Sequence, residues 1–194
     1  MCAGRGTRIT MIVIGCGQRG GTYARFAAEN PSKVRLIGAV DPRPHRLDLL
    51  RANQKLKGQF DDRLLFDDWK QLLDFHERVA DAVVIATPDR THAEIAIHCA
   101  RLKYHILLEK PMATTAEDCK NIVKEIKENE CVLAVCHVLR YTPYSRAIKD
   151  LVSSGALGEI INIQHLEPVG FYHFAHSYVR GNWRFVCVSV LFLC

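Results

Sequence analysis

The sequence lacks the features that mark secreted and membrane proteins. None of its eight cysteines forms a Cys-x-x-Cys pair, and residues 1–8 are polar and basic where a signal peptide would be apolar. No segment reaches the roughly 20 apolar residues of a transmembrane helix. A disulfide framework is typical of short secreted chains. The sequence therefore predicts buried free thiols, a cytoplasmic location and no membrane partner.

A clustered basic patch is missing as well. The net charge is +5, but the 26 Lys and Arg residues are scattered among 21 Asp and Glu residues. Nucleic-acid binding needs cationic residues gathered on one face or in one run, so no nucleic-acid partner is predicted. The apolar fraction of 48% and the charged fraction of 24% are ordinary for a globular protein. A chain of 194 residues has room for one full domain and part of a second.

Apolar runs alternate with helix-like segments through the first 136 residues. Runs that are apolar on both faces suit strands in a sheet covered by helices on each side, and strands that alternate with helices favour a parallel sheet. The sequence predicts an α/β fold with a Rossmann-type, doubly wound parallel sheet. The predicted strands are 8–15, 34–40, 64–66, 82–86, 105–108 and 132–136, and the predicted helices are 20–30, 45–57, 69–75, 91–102 and 115–129.

The pattern changes after residue 137. A helix is predicted over 143–153 and one long strand over 159–169, which is typical of the opening of an α+β domain. Residues 185–194 are apolar except for one serine, an aggregation-prone composition. We therefore predict a dinucleotide-binding domain over 1–136, a partial substrate or dimerisation domain over 137–184 and an atypical tail over 185–194.

Three glycines follow the first predicted strand and carry the first functional signal. In a Gly-x-Gly-x-x-Gly turn, Gly15 permits the tight bend, Gly17 lets a pyrophosphate approach the backbone, and Gly20 lets helix and strand pack closely. A plain glycine turn is the alternative, but the preceding strand and following helix favour a dinucleotide site. The predicted cofactor-binding residues of this turn are Gly15, Cys16, Gly17, Gln18, Arg19 and Gly20.

Asp41 ends the second predicted strand, 21 positions after Gly20. A carboxylate there can accept hydrogen bonds from the adenosine ribose hydroxyls and repel a 2′-phosphate, which favours NAD over NADP. A solvated aspartate at a strand end is the bland alternative. Arg43 and Arg46 lie close enough in sequence to accommodate a phosphate, so NADP stays open.

Glu109-Lys110-Pro111 follows the fifth predicted strand, and Thr87-Pro88-Asp89-Arg90-Thr91-His92 follows the fourth. With the glycine turn, these motifs resemble those of the glucose-fructose oxidoreductase, inositol dehydrogenase and MocA (Gfo/Idh/MocA) family, and the resemblance covers about residues 8 to 184. It implies NAD(P)-dependent hydride transfer between the nicotinamide and a sugar, polyol or related hydroxyl substrate.

The resemblance also implies roles for individual residues. Lys110 would be catalytic, because its charge stabilises alkoxide character on the substrate hydroxyl, although a surface lysine is the simpler reading. Thr87, Pro88, His92 and Glu109 would join Lys110 along the cofactor cleft, although a histidine near the start of a helix is as often a plain surface residue. Arg140-Tyr141-Thr142-Pro143 fits the family's Arg-aromatic-x-Pro segment. His137, Arg140 and Tyr141 would lie near the substrate.

Metal binding is not predicted. His173 and His176 are close in sequence, but no cysteine or carboxylate that could complete a zinc site lies near them.

Family members continue well beyond this length, into a sheet that supplies an acid/base histidine. The resemblance therefore implies a C-terminally truncated chain with weak or no turnover, in which a homo-oligomer is doubtful. The alternative is a non-catalytic dinucleotide-binding or regulatory module, since a Rossmann fold alone does not determine function.

Overall fold

A computed structural model describes residues 8–76 and 78–181 of the chain. Twelve regular strands and α-helices lie within these ranges, with short 3₁₀ segments between them. The strands are β1 (Ile9–Ile14), β2 (Val34–Val40), β3 (Leu65–Phe66), β4 (Ala82–Ile85), β5 (His105–Leu108) and β6 (Leu133–Val135). The helices are α1 (Gln18–Glu29), α2 (Pro44–Arg51), α3 (His92–Arg101), α4 (Ala116–Glu128), α5 (Pro143–Ser153) and α6 (Phe171–Phe174).

All six strands form one parallel sheet in the order β3-β2-β1-β4-β5-β6. The chain builds outwards from β1 to β3, then returns to the other side of β1 and builds outwards again through β4 to β6. The strand order reverses between β1 and β4, and ligands of open α/β sheets bind at the carboxyl ends of the strands beside such a switch point. This topology confirms the predicted Rossmann-type fold.

Helices cover both faces of the sheet. Side chains alternate along β1, so Ile12 and Ile14 enter the core that contains α3 and α4, whereas Met11 and Val13 enter the core that contains α1 and α2. Tyr104 is completely buried, and its hydroxyl accepts a hydrogen bond from the backbone N–H of Val79 at 3.0 Å. Each face of the sheet therefore packs one helix pair against the strands that carry the site.

Most of the predicted elements are observed within two residues of their predicted ends. The predicted helix 45–57 is shorter, because α2 ends at Arg51 and a separate 3₁₀ turn, Gln54–Leu56, follows it. The side chain of Asn53 caps that turn by accepting a hydrogen bond from Lys55 N–H. The predicted helix 69–75 is a 3₁₀ helix, Trp69–Phe75.

The chain divides into two compact units, and the boundary lies between Val135 and Cys136. In the second unit, α5 has the predicted bounds, but the long strand predicted over 159–169 is wrong. A strand requires a neighbour to complete its hydrogen-bond ladder, and no described residue pairs with this segment. Further along the chain lie α6 and, directly after it, a π-helical turn, Ala175–Val179. The predicted tail, 185–194, lies outside the described residues.

Cys16, Cys99, Cys119 and Cys131 carry the free thiols that the sequence predicts. Cys16, Cys99 and Cys136 are buried, and Cys119 and Cys131 are partly buried. Within the two described ranges, no helix has both the length and the apolar character to span a bilayer.

Candidate dinucleotide site

The glycine turn after β1 has the close packing that its sequence predicts. Gly15 adopts φ +91°, a left-handed conformation that favours glycine, and a methyl group there would lie 2.7 Å from the Ala86 carbonyl oxygen. A methyl group on Gly20 would overlap the carbonyl oxygen of Gly15. The close packing is therefore sufficient by itself to require glycine at both positions.

Gly17 differs from its two neighbours in the motif. It is the N-cap of α1, and the atoms nearest to a methyl group placed there belong to the side chain of Arg46, the first of them at 3.4 Å. A glycine N-cap leaves the first backbone N–H groups of a helix without a side-chain acceptor, and such groups bind phosphate well. Gln18 and Arg19 begin the helix and are exposed. The turn thus offers an open backbone cradle at a helix N-terminus.

Asp41 fastens this turn to the end of β2. Its Oδ2 accepts hydrogen bonds from the Cys16 backbone N–H at 2.8 Å and from Arg46 Nη1 at 3.0 Å. Its Oδ1 accepts a hydrogen bond from the backbone N–H of Arg43 at 2.9 Å. The residue is only 1% exposed. The carboxylate therefore orders the glycine turn, in addition to the ribose-binding role expected from the sequence.

The thiol of Cys16 is buried inside the same turn. Its Sγ lies 3.6 Å from the Val40 carbonyl oxygen. Burial, and then the nearby negative charge of Asp41, raise the pKa of Cys16 to about 12. Cys16 therefore contributes its backbone N–H and a neutral side chain to the site.

Thr87, Pro88 and His92 lie between β4 and α3. The Thr91 hydroxyl lies 2.8 Å from the Thr87 hydroxyl and also 2.8 Å from the Pro88 carbonyl oxygen. His92 is 1% exposed, and its ring bridges two loops, with Nε2 2.9 Å from the Thr87 carbonyl and Nδ1 2.8 Å from the Pro111 carbonyl. The ring therefore links the loop after β4 to the loop after β5.

Glu109 and Lys110 follow β5, and their side chains have different environments. Glu109 is 5% exposed. Its Oε1 accepts a 2.7 Å hydrogen bond from the Tyr23 hydroxyl and lies 3.4 Å from Arg19 Nε. Its Oε2 accepts a hydrogen bond from the Lys110 backbone N–H at 3.2 Å. Lys110 itself is exposed. Glu109 therefore joins the strand end that carries the lysine to the helix that follows the glycine turn.

Sequence reasoning did not identify Tyr23 as part of the site. Tyr23 lies one turn beyond Gly20 on α1, and the position of Gly20 against β1 was the available signal that this helix face points inwards. Its partner lies 86 positions away in sequence. The topology brings the two together.

His137, Arg140 and Tyr141 belong to the second unit, and all three are exposed. They lie at a 3₁₀ turn, Val138–Tyr141, in which the Arg140 backbone N–H donates to the His137 carbonyl at 3.0 Å. Their role beside a substrate stays a prediction.

The arrangement in the first unit fits an extended dinucleotide. The glycine turn, Asp41, Thr87 and Glu109-Lys110 follow β1, β2, β4 and β5, so all of them lie along the carboxyl edge of one sheet. The space over Gly17, which a side chain would fill, gives a pyrophosphate access to the backbone.

The model of a family described as "Oxidoreductase family, NAD-binding Rossmann fold" (Gfo/Idh/MocA) matches residues 9–137. Among characterised proteins, the chain is 33% identical to inositol 2-dehydrogenase of Rubrobacter xylanophilus over 156 residues, which are 80% of this chain and 42% of that protein. It is 34% identical to levoglucosan dehydrogenase of Pseudarthrobacter phenanthrenivorans over 125 residues, 62% of this chain and 32% of that protein. The chain thus spans less than half the length of these relatives.

Solved structures have the same fold. The WlbA dehydrogenase of Bordetella pertussis, in complex with NADH and UDP-GlcNAcA, superposes with a TM-score of 0.69 at 28% identity, over 79% of this chain and 44% of that one. The scyllo-inositol dehydrogenase of Lactobacillus casei, with bound NAD(H) and scyllo-inositol, superposes with a TM-score of 0.70 at 22% identity, over 79% and 43% of the two chains. The fold of the first unit is therefore that of structures that hold this cofactor.

Proposed function

The chain belongs to the Gfo/Idh/MocA oxidoreductase family, with its NAD-binding Rossmann fold, and from that membership we propose that it serves hydride transfer between nicotinamide and the hydroxyl-bearing carbon of a sugar or polyol. Inositol and levoglucosan, the compounds in the names of two relatives, define the substrate class to test. A bound NAD would supply the hydride acceptor.

The observation that carries this proposal is the attachment of Lys110 to the cofactor cradle. Glu109 is buried and hydrogen-bonded to Tyr23 of α1, and it also accepts from the Lys110 backbone. The helix that would face the pyrophosphate and the backbone of the lysine are therefore linked by two hydrogen bonds. Such positioning is what a hydride transfer needs from the protein, because the chemistry itself belongs to the cofactor.

Each group has a separate task in this proposal. The glycine turn and the first N–H groups of α1 would bind the pyrophosphate, and Asp41 would meet the adenosine ribose. The Lys110 ammonium would donate a hydrogen bond to the substrate hydroxyl oxygen. It would stabilise the negative charge that develops there as the hydroxyl proton passes to water and the hydride of the C–H bond to the nicotinamide. His92 would keep the Thr87 and Pro111 loops in register.

NADH binding tests the cofactor half of the proposal. Titration of NADH fluorescence should give saturable binding, which Gly17→Val should weaken at least about tenfold because the new side chain fills the pyrophosphate approach. Gly21→Ala is the matched control, since a methyl group at Gly21 would have no neighbour within 4 Å. If wild type shows no saturable binding, the proposal is wrong.

Turnover tests the chemical half. The chain is incubated with NAD and a panel of inositols and anhydrosugars, and NADH formation is followed by absorbance. Lys110→Met should abolish any turnover and leave NADH affinity within about threefold, because the amine acts on substrate rather than on the pyrophosphate. NADH binding without turnover in any member of the panel would instead favour a non-catalytic dinucleotide-binding module.

A further inference from the structure

A second pocket, here called the amino-edge pocket, lies at the edge of the sheet opposite to the glycine turn. Its lining comes from the beginning of β1 and β2 and from the segments that lead into β3 and β4. All of these strands are parallel, so the amino-edge pocket and the candidate dinucleotide site lie at opposite ends of the same strands. The pocket has a volume of about 510 Å³, and small-molecule sites usually measure roughly 300 to 1,000 Å³.

The floor of the amino-edge pocket is apolar. Ile37 and Leu64 are buried members of the core on the α3 and α4 face, and Phe75 and Val79 pack against that core. All four side chains line the pocket. Because Phe75 and Val79 are only partly buried, the core is open to solvent at this point. An open apolar floor favours a ligand with an apolar or aromatic body.

Arginines form the rim of the pocket, and two of them are held by backbone carbonyl groups. Arg35 Nε donates to the Gln59 carbonyl at 3.2 Å, and Arg78 Nη1 donates to the Lys103 carbonyl at 3.1 Å. Within residues 8–76 and 78–181, no carboxylate oxygen lies within hydrogen-bond distance of either guanidinium. A guanidinium has five N–H donors. Each of these two side chains is therefore positioned by one donor and keeps others for a ligand.

The carboxylates near the pocket already have partners. Asp61 accepts hydrogen bonds from Arg63 Nε at 3.0 Å and from Arg63 Nη2 at 2.7 Å. Asp81 Oδ2 accepts from the backbone N–H of Thr10 at 2.8 Å and from its hydroxyl at 2.6 Å. Three arginines against these two aspartates leave one positive charge in excess. The free guanidinium donors match the planar, two-oxygen geometry of a carboxylate.

We propose that the amino-edge pocket is a second binding site, for a small organic acid with an aromatic or branched apolar body. The carboxylate of the ligand contacts Arg35 and Arg78. Its apolar body covers the floor formed by Ile37, Leu64 and Phe75. The site is separate from the proposed dinucleotide site, so both ligands can be bound at the same time.

The experiment is a calorimetric titration of the chain with 2-naphthoate, and the neutral 2-naphthylmethanol is the ligand control. Wild type should bind the acid saturably with a Kd below about 1 mM, and the alcohol at least about tenfold more weakly, because the alcohol forms no charge-assisted hydrogen bond. Arg35→Gln and Arg78→Gln should each weaken binding of the acid at least about fivefold. Arg25→Gln is the matched control, because Arg25 is an exposed arginine of α1 outside the pocket, and it should change the affinity by less than about twofold. Saturating NADH should not displace the acid.

Each other result overturns the inference. Without saturable binding of the acid below about 5 mM, the pocket is not a site for this class of ligand. Equal affinity for the acid and the alcohol would show that apolar surface alone binds them, and equal weakening in Arg25→Gln would show a general effect of charge. Displacement by NADH would show that the acid occupies the cofactor cleft. If Arg35→Gln is unfolded by circular dichroism, the variant of the exposed Arg78 and the comparison of acid with alcohol decide the matter.

Discussion

The hydroxyl of Tyr23 donates a 2.7 Å hydrogen bond to Oε1 of Glu109, across 86 positions of sequence. Tyr23 lies on α1, which follows the glycine turn, and Glu109 lies at the end of β5, next to Lys110. Arg19 adds a charged contact to the same oxygen at 3.4 Å. One buried carboxylate therefore connects the two motifs from which the function was inferred.

Tyr23→Phe should weaken that connection. It leaves one oxygen of a buried carboxylate with Arg19 as its remaining described partner, and we expect a loss of about 1 to 2 kcal/mol in the free energy of unfolding, measured by urea titration. Tyr144→Phe is the control, because Tyr144 is 76% exposed and should change stability by less than about 0.5 kcal/mol. Equal effects in the two variants would contradict a role for the Tyr23 hydroxyl.

Two adjacent glycines of α1 should respond oppositely to alanine. Gly20→Ala forces a methyl group into the carbonyl oxygen of Gly15 and should cost at least about 2 kcal/mol of stability. Gly21→Ala adds a methyl group with no neighbour within 4 Å and should stabilise the helix by up to about 1 kcal/mol. Thermal unfolding of both variants measures the difference. Similar melting temperatures would show that the turn is not packed as described.

His92 should matter through both ring nitrogens. Each nitrogen lies within hydrogen-bond distance of a carbonyl oxygen, at 2.8 Å from Pro111 and 2.9 Å from Thr87. His92→Leu removes both polar contacts and should cost about 1 to 3 kcal/mol and weaken NADH binding, because the Thr87 and Pro111 loops lose their link. The exposed His45 provides the control, and His45→Leu should leave both quantities nearly unchanged. Urea unfolding and NADH titration together check this prediction.

Cys16 should be unreactive at ordinary pH. With its pKa raised to about 12, only about one molecule in ten thousand carries the thiolate at pH 8. Iodoacetamide should therefore label the partly buried Cys119 well before Cys16, as read from peptide masses. An unfolded chain ionises this thiol near pH 9.0, so its contribution to stability is complete below that pH and is lost as the pH rises towards 12. Rapid labelling of Cys16 in the folded chain would contradict the burial.

The sheet could be predicted from the sequence because each of its strands is marked by a short apolar run in the local sequence. The fifth strand, His105–Leu108, was predicted with its observed bounds, since a strand covered on both faces is an unbroken apolar run. The predicted strand over 159–169 failed for the opposite reason. Apolar alternation indicates that a segment suits a sheet, but only a neighbouring strand makes it part of one.

The sequence predicted where the motifs of the candidate site lie, but it did not predict the side-chain contacts between them. The positions of the glycine turn and of Lys110 at strand ends follow from sequence order. The Tyr23–Glu109 bond depends on which helix packs over which strand, and the position of Arg46 depends on a side-chain rotamer. The sequence around Gly20 indicates that one face of α1 points inwards, but it does not indicate which strand end Tyr23 meets or which rotamer Arg46 adopts.

The order of the strands also sets a length. Asp41 follows β2 and Lys110 follows β5, and β1 and β4 lie between them. Three inter-strand steps separate the two positions by about 14 Å. The width of the sheet therefore sets the length of the ligand. A ligand that contacts both Asp41 and Lys110 must be extended over that distance. A mononucleotide can contact only one of them, and there it would compete with the dinucleotide.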